Sequence, residues 1–478
     1  MEKRIRKILD EDCGIQQEDT IIIGVSGGAD SVFLLSIMHN LGFRVVVAHF
    51  DHQLRDSAKT DSKFVEDLTK NFGLQFELGT ADVKRFAIQE QKTIEEAARI
   101  QRYKFLIQTA EKYNSKFVMV AHNADDQVET VLMHFFRGSG LNGLIGMRPK
   151  TIIKEFHPSI FIIRPILSIW RDEILDYLRL NNIEFCFDET NLDSKFARNK
   201  IRNDLLPILT EMFPNIKSKV WNTSNILIGD QDVIQSQVDK KWESLVDDSK
   251  TDILRINRAD FLSLSLGIQR HLLRRAVFHI LPSARDISYE SISRGIFGIK
   301  NLQTGMIELE KNLCIELAGE SFYIFIKCKS WVDLYFPQVN IEENIEVDGC
   351  GIYEFGPGWF LKLTSHTHFD LPHEKKNIDS NMIEFDHGII DKFPFFVSKK
   401  QNGDRFTPFG FGKGSIKLSD FFINEKIPRS ARKNWPVLRD KNGKILWVIG
   451  IRPNDEFKKT SDTKKVLRLE VIKNKSYS

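Results

Sequence analysis

Cysteine is scarce in this 478-residue chain: five residues, Cys13, Cys186, Cys314, Cys328 and Cys350. They are widely spaced, odd in number and form no C-x-x-C pair. That argues against a disulfide framework, a zinc site or an iron–sulfur site, and for reduced thiols in a cytoplasmic protein. Long apolar runs are missing too. The longest, at 160–163 and 445–451, fall far short of the ~20 residues that a bilayer-spanning helix needs, so no membrane role is expected. The opening residues, Met1-Glu-Lys-Arg-Ile-Arg-Lys, are charged and lack a hydrophobic stretch, so no secretory signal is expected. Internal repeats and low-complexity segments are absent. What is present, 42% hydrophobic and 28% charged residues, is the composition of a soluble globular protein. The length exceeds one ordinary core and suggests about three domains.

Net charge is only +3, but it is unevenly spread. Residues 401–478 carry 18 Lys and Arg against 8 Asp and Glu, a local +10, which leaves −7 on residues 1–400. A basic terminal part on a mildly acidic body points to a polyanionic partner, most simply a nucleic acid.

The chemistry gathers near the start, in Thr20-Ile-Ile-Ile-Gly-Val-Ser-Gly-Gly-Ala-Asp-Ser31. A β-branched run stops at a glycine turn and helix formers follow, so the stretch reads as strand, loop, helix. Ser26, Gly27 and Gly28 can offer backbone N–H groups, and Ser26 its hydroxyl, to a phosphate at the positive end of the helix, where Asp30 and Ser31 sit. Asp30 can cap that helix or hold Mg²⁺. No Lys follows the glycines, so this is not a Walker-type loop.

From residue 20 to 121 strands and helices alternate. Apolar runs at 44–50 and 116–121 suit parallel strands buried on both faces, with helices at 61–72 and 93–113 and a strand at 74–78 between them. The fold class expected is α/β, a doubly wound parallel sheet, followed by a small helical domain and a β-rich C-terminal domain. Ligands of such sheets bind at the carboxyl ends of the strands. Three polar clusters fall there: 26–31, His49-Phe-Asp-His52, and His122-Asn-Ala-Asp-Asp-Gln-Val-Glu129. His49 and His52 suit contacts to nucleotide or substrate better than zinc, because no Cys or longer His series accompanies them. A helix starting at Ala124 or Asp125 places Asp126 and Glu129 on one face and Val128, Val131, Leu132 and Phe135 in a buried stripe. Gly138, Gly140 and Gly143 spell a formal G-x-G-x-x-G but follow a helix, so a flexible loop beside the site is the better reading. Arg198 and Arg202, four apart on a further helix, can point together at a phosphate or carboxylate.

Residues 215–301 read as helical throughout, with Arg270, Arg274 and Arg275 on a basic face. Beyond 301 short β-prone runs broken by glycine take over, with 337–344 and 372–379 as candidate linkers. The domain limits expected are 1–214, 215–301 and 302–478. Basic and aromatic residues mix in 402–453, as suits RNA phosphates and unstacked bases.

The pattern S-G-G-x-D-S resembles the pyrophosphate loop of the ATP pyrophosphatases. The full set SGGADS (26–31), HFDHQLR (49–55), EEAARIQRY (95–103), AHNADDQVET (121–130), RGSGLNGLIGM (137–147), RPIL (164–167), DETN (188–191) and RNKIR (198–202), with GDRF, KLSDFF and GIRPNDEF near the end, resembles the long form of the tRNA(Ile)-lysidine synthetases. The resemblance implies an adenine nucleotide α-hydrolase-like catalytic domain. It also implies a two-step reaction: ATP adenylates the wobble cytidine of the CAU anticodon of isoleucine tRNA, then L-lysine displaces AMP. On that resemblance Asp30, Arg99, Arg102, Asp126 and Glu129 are catalytic. Ser26 to Ser31 and His49 bind ATP, and Asp51, His52, Asp125, Arg198 and Arg202 bind substrate. Asp30 and Asp126 hold Mg²⁺. No stable protein partner is evident, and a homodimer is left open. The rivals are a tRNA thiolase of the same superfamily, which usually relies on paired cysteines; a non-catalytic RNA-binding protein on the same fold; and an amide-forming ligase such as NAD synthetase, which leaves the basic C-terminal part unexplained.

Overall fold

A computed structural model of the chain describes every residue except 54–57, 187–196, 251, 283, 285–286, 311, 328–330, 341–342, 368–380, 413, 458–462, 464 and 475–478. The end of the 49–55 motif, the 188–191 motif, Cys328 and the 372–379 stretch lie outside the described residues. The chain divides into two compact units, Met1–Gln235 and Ser236–Ser478.

The first unit contains α1 (Glu2–Lys7), β1 (Thr20–Gly24), α2 (Ala29–Asn40), β2 (Arg44–Asp51), α3 (Ala58–Asn71), β3 (Gln75–Thr80), α4 (Val83–Gln89), α5 (Ile94–Lys112), β4 (Phe117–Met119), α6 (Ala124–Phe136), α7 (Leu141–Leu144), β5 (Lys150–Ile152), β6 (Phe161–Ile163), α8 (Arg171–Leu180), α9 (Ala197–Lys200), α10 (Leu206–Met212) and the start of α11 (Ile216–Leu245). The strands form one sheet in the order β3-β2-β1-β4-β6-β5. All neighbours are parallel except the edge strand β5. Alternate residues leave opposite faces. Ile21, Ile23, Val45, Val47 and Met119 pack with Phe33 and Ile37 of α2 and Ile174 of α8. Ile22, Val46, Ala48 and Val118 pack with Tyr103, Leu106 and Ile107 of α5. Because helices cover both faces, every position along these strands meets apolar neighbours, which accounts for the uninterrupted runs in the sequence. The chain winds outward from β1 to β3 and returns to β4 on the other side of β1. The loops after β1 and β4 therefore meet at the switch point of the sheet, where α/β folds place their ligands.

Helix α5 begins where expected: Thr93 caps it, its hydroxyl accepting from the Glu96 N–H at 3.2 Å. Helix α4 was not anticipated; Asp82 caps it by accepting from the Arg85 N–H at 3.0 Å. On α6 the stripe overshoots, since Val128 is fully buried but Phe135 is 61% exposed.

In the second unit the expectation of an all-helical 215–301 is overturned. After α11 come β7 (Val246–Lys250) and β8 (Ile253–Asn257), before α12 (Arg258–Ser263), α13 (Leu266–Ile280) and α14 (Tyr289–Asn301). Strand β8 pairs antiparallel with residues 321–326, Leu254 opposite Ile324, within a five-stranded sheet. Its apolar residues Ile253, Leu254 and Ile256 are buried, so tertiary pairing overrides the local helical pattern. Further short strands build a second five-stranded sheet, a four-stranded sheet and a two-stranded hairpin. The motif aromatics there belong to the core: Phe406, Phe421 and Trp447 are 3%, 3% and 0% exposed. Asp404 and Arg439 form a buried ion pair at 2.6 Å. The 402–453 motifs thus build the fold, and their buried rings are not the base-stacking surface that the sequence suggested.

Candidate active site

After β1 the chain turns through Ser26, Gly27 and Gly28 into α2. Gly27 has φ +92°, a conformation that an L side chain resists, and an added Cβ would lie 3.3 Å from Val65 and 3.5 Å from the Cys186 sulfur. Ser31 braces the loop from inside. Its hydroxyl donates to the Gly28 carbonyl at 2.9 Å and lies 3.2 Å from the Ser26 hydroxyl. Gly28, the N-cap of α2, has no side chain to satisfy the first N–H groups of the helix, which leaves them for an anion. His49 supports the loop from β2. Its Nδ1–H donates to the Val25 carbonyl at 2.8 Å, because a carbonyl can only accept.

Three helix N-termini converge here. At α6, Asn123 and Asp126 form a reciprocal cap, with bonds of 2.9 and 3.1 Å between each side chain and the other's N–H. Asn123 also donates to Asp30 at the start of α2, at 3.1 Å. At α8, the Arg171 N–H donates to Asp125 at 2.9 Å, while the Arg171 side chain pairs with Asp30. Lys217 of α11 takes the other Asp125 oxygen at 2.8 Å. Asp125 is thereby engaged on both oxygens in joining α6, α8 and α11. Burial holds the Asp30 carboxyl above its usual range; Arg171 pulls it down, and the like charge of Asp126 pushes it up.

One turn deeper on α6 lies Glu129, its side chain 1% exposed. Arg198 and Arg202 do point together, and they point at this carboxylate. Arg202 donates to both oxygens, at 2.6 and 3.0 Å, and also to Asp126 at 3.1 Å. Arg198 Nε lies 3.3 Å from Glu129 without hydrogen-bond alignment, and its Nη2 donates to Thr130 at 2.6 Å. Arg202 sits in a π-helical turn, Ile201–Leu205, between α9 and α10, a widened turn often found at functional sites. Burial raises the Glu129 carboxyl, against the pull of Arg202.

A cavity of about 450 Å³ opens at the switch point. Its lining includes Ser26, Gly28, Ala29, Asp30, Ser31, His49, Asp51, His52 and Arg102. Gly27, Arg99, Asp125, Asp126, Glu129, Arg198 and Arg202 do not line it. Asp126 joins its edge through Asn123 and Asp30, and Arg99 is exposed on α5. Among the described residues no group of three or more His, Cys, Asp or Glu could hold a metal ion. The sequence reasoning missed Arg171, His122, Phe185 and Cys186, which also line the cavity. His122 lay within a flagged cluster without a role, whereas Arg171 carries no local signal. The 137–147 segment is tied down: Gln127 donates to the Ile145 and Met147 carbonyls at 3.0 and 3.2 Å and accepts from the Met147 N–H at 2.7 Å.

Residues 1–209 match the PP-loop domain family, and residues 395–471 match the TilS substrate C-terminal domain. The chain is 31% identical to the tRNA(Ile)-lysidine synthase of Clostridium perfringens over 98% of each chain. The chain belongs to the tRNA(Ile)-lysidine synthase family. A second relative of that name, from Caldanaerobacter subterraneus, is 29% identical over 96% of this chain and 95% of its own. The U34-tRNA thiolase of Methanococcus maripaludis, a solved structure, covers 48% of this chain and 78% of its own at 16% identity and a TM-score of 0.40, too distant to argue from. The two family matches of this tRNA(Ile)-lysidine synthase family member fall one in each compact unit. Among the described residues no helix is long and apolar enough to cross a membrane.

Proposed function

We propose that this chain joins L-lysine to the wobble cytidine of the CAU anticodon of isoleucine tRNA, using ATP and releasing pyrophosphate and AMP, so that AUA is read as isoleucine. The observation that carries this reading is the convergence of a glycine-capped phosphate loop and the N-termini of α2, α6 and α8 on one cavity, with Asp126 joined to its edge through Asn123 and Asp30 and Glu129 one turn deeper. Membership of the family supports the substrate.

Ser26, Gly27, Gly28, Ala29 and Ser31 hold the departing pyrophosphate: the first N–H groups of α2 stand open above the Gly28 cap, while the Ser26 and Gly28 N–H groups, which donate to the Ser31 and Ser26 hydroxyls at 3.2 and 3.4 Å, turn from them to the phosphate. His49 keeps the loop in register. Asp30 and Asp126 suit Mg²⁺, which commonly takes one or two carboxylates plus substrate phosphates and water; their mutual repulsion is what a divalent cation relieves. Mg²⁺ bound there would neutralise charge on the phosphates. Arg102, open to the cavity, meets the phosphates or the base, with Arg99 on the same helix. Asp51 and His52, at the end of β2, contact the cytidine. In the second step the lysine amine must arrive as a held ammonium and lose a proton before attack. Asp126 and Glu129, the latter fixed by Arg198 and Arg202, are the carboxylates that hold the ammonium and accept the proton it gives up. Asp125 ties the helices that carry these groups. Residues 215–301 and 302–478 bind the body of the tRNA as functional segments, whatever their folding units.

Incubation with ATP, labelled lysine and bulk tRNA tests the reading. Acid-stable label in tRNA supports it, while tRNA binding without label favours the binding protein, and sulfur entering tRNA only when a sulfur donor is added favours the thiolase.

A further inference from the structure

Helix α6 carries Asp126 and Glu129 in its first two turns and ends on an exposed aromatic pair. Phe135 and Phe136 are 61% and 59% exposed, with ring centroids 5.7 Å apart and ring planes at 74°. Single apolar residues on a surface are ordinary, but a contiguous pair of large rings marks a place where something binds. Arg137 follows, exposed, and among the described residues no ion pair or hydrogen bond engages its side chain. The turn beyond it is open: Gly138 has φ +74°, and a Cβ built on Gly138 or Gly140 would meet no atom within 4 Å. The chain is then tied back, with the His134 Nδ1–H donating to the Gly143 carbonyl at 2.7 Å.

Charge decides what kind of partner fits. From Thr130 to Lys154 the chain has no Asp or Glu and carries Arg137, Arg148, Lys150 and Lys154, although residues 1–400 as a whole are acidic. Arg148 is used on Asp232 and Lys150 on the Cys13 carbonyl, which leaves Arg137, beside the rings, uncommitted. Two phenylalanines next to a free arginine, without carboxylates, suit a polyanion that exposes flat rings. That is single-stranded RNA, because a duplex hides the faces of its bases. Position decides which part of the strand. Seven residues separate Glu129 from Phe136, so the two share a face of α6, about 10 Å apart along its axis.

We propose that Phe135, Phe136 and Arg137 form a stacking platform for an unpaired loop nucleotide next to the wobble cytidine, one ring lying against the base and Arg137 meeting the adjoining phosphate. The inference rests on the function proposed above. The perpendicular rings divide the work, since one can face the base while the other braces its edge. Stacking accepts any base. The platform therefore sets the path of the loop and demands an unpaired nucleotide there, without reading its identity.

The test is a coupling measurement on the full chain. Isoleucine tRNAs with a CAU anticodon are built with one abasic nucleotide at a time on either side of the wobble cytidine, and their binding to wild type, Phe135→Ala, Phe136→Ala, Phe136→Tyr and Phe136→Leu is compared. The alanine variants should bind the intact tRNA roughly tenfold more weakly, as for the loss of one stacked base. Tyrosine should restore binding and leucine should not, because an apolar side chain without a ring face cannot stack. At one abasic position the alanine variants should lose nothing further, since the stacked base is already gone. Arg137→Gln should lower the salt slope by about 0.7, the share of one phosphate on a single strand. Wild-type affinity in both alanine variants, restoration by leucine, or losses that add at every abasic position would overturn the platform. A change in sedimenting mass with tRNA affinity unchanged would also overturn it and assign the rings to a contact between copies. Both rings are exposed, so the variants should melt with the wild type. Lysine incorporation by the wild type is run alongside: its failure with the coupling intact removes the reaction and leaves the platform, and its success with additive losses does the reverse.

Discussion

Glu129→Gln separates the two chemical steps. Gln keeps the size of the side chain and one acceptor oxygen but turns an NH₂ group toward guanidiniums that can only donate. It loses the charge that receives Arg202 at 2.6 and 3.0 Å. Hydrogen bonds to charged groups contribute about 1.5–3 kcal/mol. Glu129 is 1% exposed, but Arg202 is 36% exposed and water takes up part of the loss, so the lower end applies. At 1.36 kcal/mol per decade that is roughly a tenfold slower lysine transfer. Adenylation, served by the loop and Asp30, should change little. Rapid quench with ATP labelled in its α-phosphate, with and without lysine, should show adenylated tRNA accumulating in the variant. The pH profile gives a second check. Transfer needs ionised Glu129, whose carboxyl is raised by burial, so the wild-type rate falls as the pH drops through that raised value, and the Gln variant should lack this limb. The same raised pKa gives folding stability that is complete below the ordinary value of 4.5 and lost as the pH rises through the folded-state value, so removing the charge does not by itself unfold the unit. Equal slowing of both steps, or an unchanged acid limb, would refute the assignment.

Asp30→Ala should abolish ATP–pyrophosphate exchange while tRNA affinity stays near wild type, since it strips the loop of its carboxylate and leaves Arg171 unpaired; exchange at the wild-type rate would contradict this. Gly27→Ala forces a side chain into φ +92° against Val65, a strain of about 1–3 kcal/mol. Calorimetry should show weakened ATP binding and a lowered melting temperature, and wild-type ATP affinity would mean that the loop is not strained as drawn. Arg429→Glu and Lys433→Glu, both at exposed sites, should weaken tRNA binding and reduce its salt slope by roughly 0.7–0.9 for each phosphate no longer neutralised; an unchanged slope would make the basic charge a solubilising surface. Arg432 is a poor choice for reversal, because it donates twice to the Ile427 carbonyl, at 2.9 and 2.7 Å.

The catalytic unit was legible because its physics is local. A parallel strand covered on both faces must be apolar throughout, and Thr93 and Asn123 announce their helices by capping them. Arg198 and Arg202 could be paired by spacing alone, but their target could not, since Glu129 lies about seventy residues away. Arg171 had no chance of being found: its meeting with Asp30 is purely tertiary. Strand β7, VDDSK, is polar enough to read as a helix end, and β8 becomes a strand only through residues 321–326. Phe406 and Trp447 misled for the opposite reason. Aromatic rings among basic residues are equally the signature of an RNA surface and of a small β core, and only burial tells which.

The most direct measurement is the wobble nucleoside itself. An isoleucine tRNA transcript with a CAU anticodon is incubated with the protein, ATP, Mg²⁺ and lysine, digested to nucleosides and examined by mass spectrometry. The account predicts that the wobble cytidine disappears in favour of a lysine-bearing nucleoside, only when ATP and lysine are both present, with one AMP and one pyrophosphate released per modification. Unmodified cytidine after ATP consumption would contradict it.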